Sequence, residues 1–288
     1  MISSTCSRWN LPAASLLTIE GARFQFGDLV KPQADFWKNW WNEQARHSGS
    51  DYALNRQTNL RLEALEQRSL RQFLAAVSPQ RHDRVLDAGC GSGRNISILS
   101  PLVQEIVGID YSEEMVKRAQ ERVGGEDLHN AKVIQGDVTF LQLPSAGFDK
   151  VICTSVLQYL DRESCAVALR ELVRVCKPGG RLVIHLKNGT SLYGLSLMVL
   201  RPIAALLGKQ MKPEYYRSRG WYETTLSNAG ATVLDYDGFG ILTFVPMPRR
   251  MVGFLLGCEA RFPLPTALKK LAVNYQVTLR ASQTPSAR

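Results

Sequence analysis

Between residues 84 and 187, short apolar segments alternate with helical patterns, and this alternation constrains the fold more than any other feature of the sequence. Five segments have the length and composition of strands, and patterns of helical period follow the first, second and fourth of them. Strands that alternate with helices predict a parallel sheet covered by helices on both faces. The predicted strands are RVLDAG, EIVGID, AKVIQGD, FDKVICTS and RLVIHLK.

A glycine-rich loop follows the first predicted strand directly, within the sequence VLDAGCGSGRN of residues 85–95. Gly89, Gly91 and Gly93 alternate with other residues there. Glycine lets the backbone adopt positive φ and approach a ligand closely. The helix predicted after the loop begins with backbone N–H groups that lack helical partners. The stretch therefore predicts a ligand-binding loop at one edge of the sheet.

Two common nucleotide-binding motifs do not fit this loop. The dinucleotide motif GxGxxG/A needs a third small residue, but the two registers place Arg94 or Ile96 at that position. The phosphate-binding loop of nucleoside triphosphatases needs Gly-Lys-Ser/Thr at its end, and that sequence is absent. The pattern disfavours both kinds of site.

The loop instead resembles motif I of the class I S-adenosylmethionine (SAM)-dependent methyltransferases, in which an acidic residue, here Asp87, precedes GxGxG. Further landmarks of that family follow in the right order, so the resemblance covers about residues 55–186. It implies an α/β, Rossmann-like doubly wound sheet, mostly parallel with a C-terminal antiparallel strand. It also implies an N-terminal helical cap and a lid insertion after the fifth strand. The further landmarks are GIDYSEEM, QGDV, FDKVICTSVLQYL and LVRVCKPGGRLVI.

The resemblance divides the chain into three parts of one domain. Residues 1–54 are expected to form an N-terminal arm and an aromatic cap segment. Residues 55–186 are the expected SAM-binding core, and a helical stripe over residues 55–77 opens this part. Residues 187–288 are expected to supply the substrate lid, the last strands and a basic, apolar C-terminal segment.

The family motifs assign cofactor contacts to residues near the ends of the predicted strands. Asp87 would hold the loop or the methionyl ammonium, and Asp110 would accept hydrogen bonds from the ribose hydroxyls. Asp137 would accept from the adenine amino group, with Val138 on the adenine face. An ordinary turn or packing role stays open for these residues. The expected cofactor-binding residues are Asp87, Gly89, Cys90, Gly91, Gly93, Asp110, Tyr111, Met115, Asp137, Val138, Cys153 and Ser155.

The turn after the fourth predicted strand, CTSVLQYL, indicates the class of acceptor. Enzymes that methylate exocyclic amines of adenine or glutamine share an Asn/Asp-Pro-Pro-aromatic sequence at this place, and this turn contains no proline. The turn is similar instead to that of the small-molecule branch, which includes quinone and natural-product methyltransferases. Many of those carry a histidine where this chain has Gln158 and Tyr159.

Two residues are candidates for a general base, which is needed only when the acceptor must lose a proton. His185 ends the fifth predicted strand at the edge where parallel sheets bind ligands, and Tyr159 follows the fourth. Ordinary packing in the core is the alternative interpretation for both. The six cysteines form no CxxC pair and no metal-ligand spacing, so no metal site is expected.

Three segments outside the core are expected to determine the acceptor. The tryptophans of residues 37–41 and the following Tyr52 either line an apolar pocket or attach a helix to the core by packing against it. Residues 192–208 form an apolar stretch that must be buried, cover a hydrophobic ligand or touch a membrane. Residues 247–271 combine apolar runs with basic residues, as interfacial segments do. The expected substrate residues are Trp37, Trp41, Tyr52 and Gln158.

The net charge of +9 is concentrated in one part of the sequence. Residues 81–186 carry 13 basic and 14 acidic side chains, whereas residues 187–288 carry 13 and 5. The neutral core argues against nucleic acid as the partner and favours an apolar or amphipathic small molecule. We therefore expect a SAM-dependent methyltransferase that acts at oxygen or carbon of a small, apolar or lipid-like acceptor in a biosynthetic pathway.

Two other functions stay open at this point. An RNA or protein methyltransferase would dock through the basic C-terminal third, and a non-catalytic SAM-binding protein would keep the same loop. The N-terminal residues lack the pattern of a secretory signal and the cysteines are scattered. A cytoplasmic location is therefore expected, and a peripheral contact with a membrane stays open. The sequence leaves the oligomeric state open.

Overall fold

The computed structural model describes residues 36–47, 70–207, 214–239 and 269–282 of the 288-residue chain. Some of the sequence predictions concern residues outside these ranges. They are the N-terminal arm, Tyr52, the helical stripe as far as residue 69, and the basic, apolar segment as far as residue 268. The central core, the aromatic segment of residues 37–41 and the last predicted strand are described.

The strands of the described residues form one mixed sheet and comprise β1 (Arg84–Ala88), β2 (Glu105–Asp110), β3 (Ala131–Gln135), β4 (Phe148–Cys153), β5 (Cys176–Lys187), β6 (Ala231–Phe239) and β7 (Asn274–Ala281). Their order is β3-β2-β1-β4-β5-β7-β6. Strands β1 to β5 pair in parallel, while β7 runs antiparallel to both of its neighbours. The predicted Rossmann-like fold with an antiparallel C-terminal strand is confirmed.

Helices connect the strands and cover the sheet. Short polar residues begin several of them: Ser112, Asp161 and Ser191 each accept a hydrogen bond from a backbone N–H of the first turn. Such caps satisfy a donor that the helix itself leaves without a partner. The α-helices are α1 (Phe36–His47), α2 (residues 70–77), α3 (Arg94–Leu99), α4 (Glu113–Gly125), α5 (Arg162–Val175), α6 (Leu192–Leu206) and α7 (Arg219–Asn228).

The core consists of two apolar layers, one on each face of the sheet. On one face, α5 and α7 pack against strand residues such as Leu86 and Ile184. On the other face, α2, α3 and α4 pack against Val85, Ile106 and Val183. Adjacent residues such as Val85 and Leu86 belong to different layers because successive side chains of a strand face opposite sides. Burial of each aliphatic side chain contributes about 1.5–3 kcal/mol, so the layers hold the strand ends in fixed positions.

The start of β5 differs from the sequence prediction, in which the strand begins after the KPGG residues. The structure extends the strand back to Cys176, which pairs with Phe148. The ladder resumes with Arg181 opposite Lys150, so residues 177–180 form an irregular insertion in the pairing. Extra residues in one strand of a pair produce a bulge, which keeps both ends of the strand in register with β4.

Asn188, at the end of β5, forms side-chain hydrogen bonds with the segment that precedes β7. Its side chain is fully buried. Nδ2 donates to the carbonyls of Lys270 and Ala272 at 3.0 and 2.7 Å, and it lies 2.8 Å from the hydroxyl of Tyr275. Oδ1 accepts from both the backbone N–H and the hydroxyl of Thr190. Because α6 begins just after this residue, one side-chain amide positions both the last strand and the helix that follows β5.

Helix α6 occupies the insertion expected after the fifth strand, and much of its apolar surface is exposed. Its buried residues include Gly194 and Leu197. In the described part of the chain, no helix is long and apolar enough to cross a membrane. The exposed apolar side chains of α6 are Leu192, Leu195, Met198, Val199, Leu200, Ile203 and Leu206.

Candidate active site

A cavity of about 660 Å³ lies at the carboxyl ends of the central parallel strands. Its lining combines the glycine loop, the ends of β2 and β4, and side chains from α1 and α2. Cavities that bind small molecules have volumes of roughly 300–1,000 Å³ and occur at this edge of open α/β sheets. Position and size both fit a site for one cofactor and part of an acceptor.

The glycine loop is fixed to β2 by its own backbone. The N–H groups of Gly89 and Cys90 both donate to the carbonyl of Ile109, at 2.7 and 2.9 Å. Gly89 has a φ of 80°, and a Cβ there would lie 2.0 Å from Cγ2 of Val156. Gly91 differs, because a Cβ at this residue would have no atom within 4 Å. Packing therefore requires glycine at position 89, whereas the second glycine borders open space.

Asp110 connects the loop to the start of α4. Its Oδ2 accepts from the N–H of Gly91 at 2.8 Å, and its Oδ1 accepts from the N–H of Ser112 at 2.9 Å. Burial raises the pKa of this carboxyl above its usual value, and the backbone N–H groups act in the opposite direction. A carboxylate offers about four lone-pair positions, so each oxygen can accept a second hydrogen bond from a ligand.

Asp87 is fully buried under the loop and is only partly satisfied. Its Oδ1 accepts from Nδ2 of Asn95 at 3.3 Å, and its Oδ2 has no hydrogen-bond partner among the described residues. Burial raises the pKa of Asp87 to about 7, the Asn95 hydrogen bond lowers it, and the nearby Asp110 raises it further. A buried carboxyl with an unsatisfied oxygen fits a cationic group, with Asn95 between it and the cavity.

The predicted adenine side of the site is assembled around Asp137. Its Oδ1 accepts from the N–H and the hydroxyl of Thr139 at 2.8 and 2.7 Å, which fixes the turn. Val138 and Met115 are buried, whereas Tyr111 is 39% exposed. All of these side chains line the same cavity, so the structure brings the predicted adenosine residues together.

Helix α1 forms the aromatic wall of the cavity. The ring of Tyr159 lies 4.3 Å from that of Trp37 and 5.6 Å from that of Trp41, measured between centroids. Polar contacts with α4 hold α1 in place: Asn42 Oδ1 accepts from the Ser112 hydroxyl at 2.6 Å. The tryptophans thus both attach the helix to the core and line the cavity.

His185 belongs to β5 and lines the cavity. In the sheet, β4 separates its strand from β1, which carries the glycine loop. Its Nε2 is 3.2 Å from Oε1 of Gln276 on β7. Burial lowers the pKa of His185 below its usual value, the hydrogen bond with Oε1 of Gln276 opposes this, and the charge of Lys187 adds to the lowering. A histidine with a lowered pKa is neutral near pH 7, and the neutral form is the one that accepts a proton.

Some predicted site residues do not line the cavity. Gly93 packs against α4, since a Cβ there would meet Ala119 at 3.2 Å. Cys153 is fully buried within β4, and burial raises the pKa of its thiol well above the usual value. The side chain of Gln158 is also buried, and its backbone carbonyl accepts a hydrogen bond from the backbone N–H of Tyr215. Asp87 reaches the cavity through Asn95, and Tyr52 lies outside the described residues.

Sequence reasoning missed several lining residues. Asn95 stands at the end of the quoted motif in the first turn of α3, so its position after the glycines was a usable signal. Gln276, Asp237 and Tyr215 come from distant parts of the chain and carry no motif. Among the described residues, no group of three or more His, Cys, Asp or Glu side chains is arranged to hold a metal ion.

Residues 85–180 match the family model of a methyltransferase domain. This range contains the glycine loop, Asp110 and Asp137. The match covers a third of the chain and shows that this range is a methyltransferase domain. Its cofactor is therefore SAM.

The chain is similar to curated methyltransferases over part of its length. It is 29% identical over 151 residues to a demethylmenaquinone methyltransferase of Geobacillus stearothermophilus, covering 50% of this chain and 64% of that protein. It is 35% identical over 117 residues to a phosphatidylethanolamine N-methyltransferase of Cereibacter sphaeroides, and this match covers 40% of this chain and 56% of that protein. The chain thus spans less than two thirds of the length of these relatives.

A solved structure has the same fold over most of this chain. It is the magnesium protoporphyrin IX methyltransferase of Synechocystis PCC 6803 with bound SAH, which matches with a TM-score of 0.57 at 17% sequence identity. The match covers 87% of this chain and 100% of that one. At this identity the likeness demonstrates the fold alone.

The buried carboxyl of Asp87 makes the stability of the ligand-free protein depend on pH. Its folded-state pKa of about 7 compares with 3.8 for an ordinary aspartate. Between these pH values the folded protein keeps the proton and the unfolded chain loses it, so the free energy of unfolding falls as the pH rises. The fall from pH 4 to above pH 7 amounts to roughly 3–5 kcal/mol from this group.

We expect Asp87→Asn to remove this part of the pH dependence, because an amide does not titrate. Urea unfolding at pH 4.5 and pH 8, without ligand, measures the change. The exposed Asp235→Asn should retain the wild-type difference between the two pH values. Equal pH dependence of wild type and Asp87→Asn would show that Asp87 is already ionised in the folded protein.

Proposed function

We propose that this chain is a SAM-dependent methyltransferase enzyme that methylates oxygen or carbon of a small, apolar or lipid-like acceptor in a biosynthetic pathway. One observation carries the proposal. A single cavity is lined at one side by the glycine loop and strand-end carboxylates, and at another by the aromatic wall and His185. Donor and acceptor would therefore share one cavity, as direct methyl transfer requires.

The residues of the domain suit each part of the cofactor. SAM supplies a methyl group on a positively charged sulfur, beside a methionyl ammonium and an adenosine. In our proposal Gly91 admits the methionyl portion, Asp110 accepts from the ribose hydroxyls and Asp137 accepts from the adenine amino group. The unsatisfied oxygen of Asp87, with Asn95, supports a contact to the ammonium.

The aromatic wall supports an apolar or amphipathic acceptor. Trp37, Trp41 and Tyr159 present rings to the cavity, and such rings bind apolar groups and exclude water. The names of two relatives state a demethylmenaquinone and a phosphatidylethanolamine as acceptors. Both molecules combine a polar head with an apolar tail. We propose that the acceptor of this chain has the same general character.

The protein's part in the reaction is positioning and proton transfer. The aromatic wall holds the acceptor atom close to the methyl group in a space from which water is excluded, and this geometry supplies much of the rate. His185 accepts the proton when the acceptor is a hydroxyl or a carbon acid. In our proposal Tyr159, which also lines the cavity, is the second candidate for this role.

The described part of the basic C-terminal third gives no support to an RNA-docking surface. Lys269 forms an ion pair with Asp237 at 2.9 Å, and Arg219 forms one with Glu223 at 2.8 Å. Arg217 is buried. These cations are engaged within the protein instead of forming an open basic patch, so the small-molecule acceptor remains the better proposal.

We expect Gly91→Ala to weaken SAM binding at least tenfold, because the added methyl group enters the open space beside the loop. Calorimetric titration with SAM and with S-adenosylhomocysteine measures the affinity. Gly179→Ala is the matched control, since Gly179 also has a positive φ (76°, against 53° for Gly91), a Cβ there would also meet no atom within 4 Å, and it lies outside the cavity lining. Unchanged affinity of Gly91→Ala would remove the loop from the proposed cofactor site.

Methyl-labelled SAM identifies the acceptor class. The protein is incubated with the label and a cell extract that is then separated into lipid, RNA, protein and small-molecule fractions. We expect label in the lipid or small-molecule fraction, and less of it with Gly91→Ala at a SAM concentration below the dissociation constant of that variant. Label in the RNA or protein fraction would overturn the proposed acceptor.

The exposed apolar face of α6 supports a peripheral contact with a membrane, since interfacial helices bury such a face among lipid headgroups. We expect the protein to sediment with phosphatidylglycerol vesicles. The double variant Ile203→Glu/Leu206→Glu should lose most of this binding, because it places charges on the apolar face. Gln142→Glu adds a charge at an exposed loop position and is the control. Equal sedimentation of all three proteins would contradict the contact.

A further inference from the structure

Three polar residues form a row across the last three strands of the sheet. His185 on β5 is paired in register with Gln276 on β7, and Gln276 is paired with Asp237 on β6. Residues directly opposite each other in neighbouring strands project from the same face of a sheet. All three line the cavity, so the row brings polar groups to a space whose nearby wall is aromatic.

The side-chain amide of Gln276 has its orientation set by a third element. Its Nε2 is 3.4 Å from the backbone carbonyl of Gln72 in α2. A carbonyl oxygen only accepts hydrogen bonds, so the group of Gln276 that faces it must be the NH₂. Oε1 then faces His185 Nε2 at 3.2 Å. Because Oε1 also only accepts, Nε2 of His185 must carry the hydrogen.

We propose that Gln276 is a positioning residue that holds His185 as the Nε2–H tautomer, with Nδ1 as the atom that takes a proton from the acceptor. This inference rests on the proposed function and names the proton-accepting atom of that site. In a neutral imidazole only one nitrogen carries hydrogen, so fixing Nε2–H leaves the lone pair on Nδ1. Gln276 acts through His185 and is not itself a catalytic residue.

In the proposed step, the acceptor loses a proton to His185 and gains the methyl group. The O–H or C–H bond of the acceptor breaks, and its proton forms a bond with Nδ1 of His185. The electron pair left on the acceptor atom forms the bond to the methyl carbon. The bond between that carbon and sulfur breaks, and its electron pair stays on sulfur, which becomes a neutral thioether. The imidazolium, still hydrogen-bonded to Gln276, then releases the proton to water.

A neutral partner suits a base better here than a carboxylate would. A carboxylate beside His185 would stabilise the imidazolium and keep the ring protonated at higher pH. Glutamine orients the ring without adding a charge. Among the described residues, Lys187 on the same strand affects the ring electrostatically, and the cavity lining also contains Asp237, whose charge Lys269 neutralises, and Tyr215.

Histidine tautomers can be measured without knowledge of the acceptor. Long-range ¹H–¹⁵N correlation spectra of the full chain, labelled at histidine, distinguish the Nε2–H form from the Nδ1–H form. The His185→Gln variant assigns the His185 signal. The exposed side chains of His82 and His129 serve as internal references. We expect His185 to be an Nε2–H tautomer at pH 7.5, and an Nδ1–H tautomer would overturn the proposal.

Two substitutions of Gln276 separate positioning from simple packing. Gln276→Leu keeps the size but removes the acceptor, so we expect a mixture of tautomers. Gln276→Glu keeps an acceptor at Nε2 and adds a charge, so we expect the Nε2–H form and a midpoint of the His185 titration raised by at least one pH unit. An unchanged tautomer in Gln276→Leu, or an unchanged midpoint in Gln276→Glu, would overturn the proposal. If the leucine variant does not fold, wild type and Gln276→Glu decide the result.

Calorimetric titration with SAM distinguishes failure of this inference from failure of the proposed function. We expect both Gln276 variants to bind SAM as wild type does, since the proposed cofactor contacts lie on other strands. A wild-type protein that shows the expected tautomer but binds no SAM would refute the enzyme and leave the hydrogen-bond arrangement intact. Normal SAM binding with the Nδ1–H tautomer would refute the inference alone.

Discussion

The attachment of the glycine loop to β2 is the interaction on which the site depends. Ile109 and Asp110, consecutive residues of one strand, accept the N–H groups of Gly89, Cys90 and Gly91. The loop therefore uses these donors within the protein and keeps few for a ligand. Phosphate-binding loops do the opposite, since they aim such donors at an anion. A loop of this kind recognises its ligand by shape, which suits the uncharged or cationic parts of SAM.

The sequence was sufficient to predict the five parallel strands of the sheet and the position of the glycine loop. Strands buried on both faces are nearly continuous apolar runs, and a glycine loop between such a strand and a helix has few other interpretations. The carboxylates at positions 110 and 137 could be found because each follows a strand whose end was already predicted. The early start of β5 could not, because pairing with Phe148 outweighs the local preference of the proline and glycine residues.

Other parts of the site depend on distance in three dimensions that local patterns do not contain. Gln276 meets His185 across 91 residues of sequence, and the contact exists only in the register observed between β5 and β7. A shift of that register by one residue would send Gln276 to the opposite face. Gln158 and Tyr159 show the same limit at short range, because a single turn buries the first and turns the second toward the tryptophans.

The unsatisfied oxygen of Asp87 has a consequence for the thermodynamics of binding. With a pKa of about 7 in the ligand-free protein, this carboxyl is close to half protonated at neutral pH. A cation bound in the cavity beyond Asn95 favours the carboxylate form of Asp87, so occupation of the site expels a fraction of a proton into the solution. The measured heat of binding then varies with the ionisation enthalpy of the buffer. Proton exchange of this kind would link the occupancy of the site to the pH of its compartment.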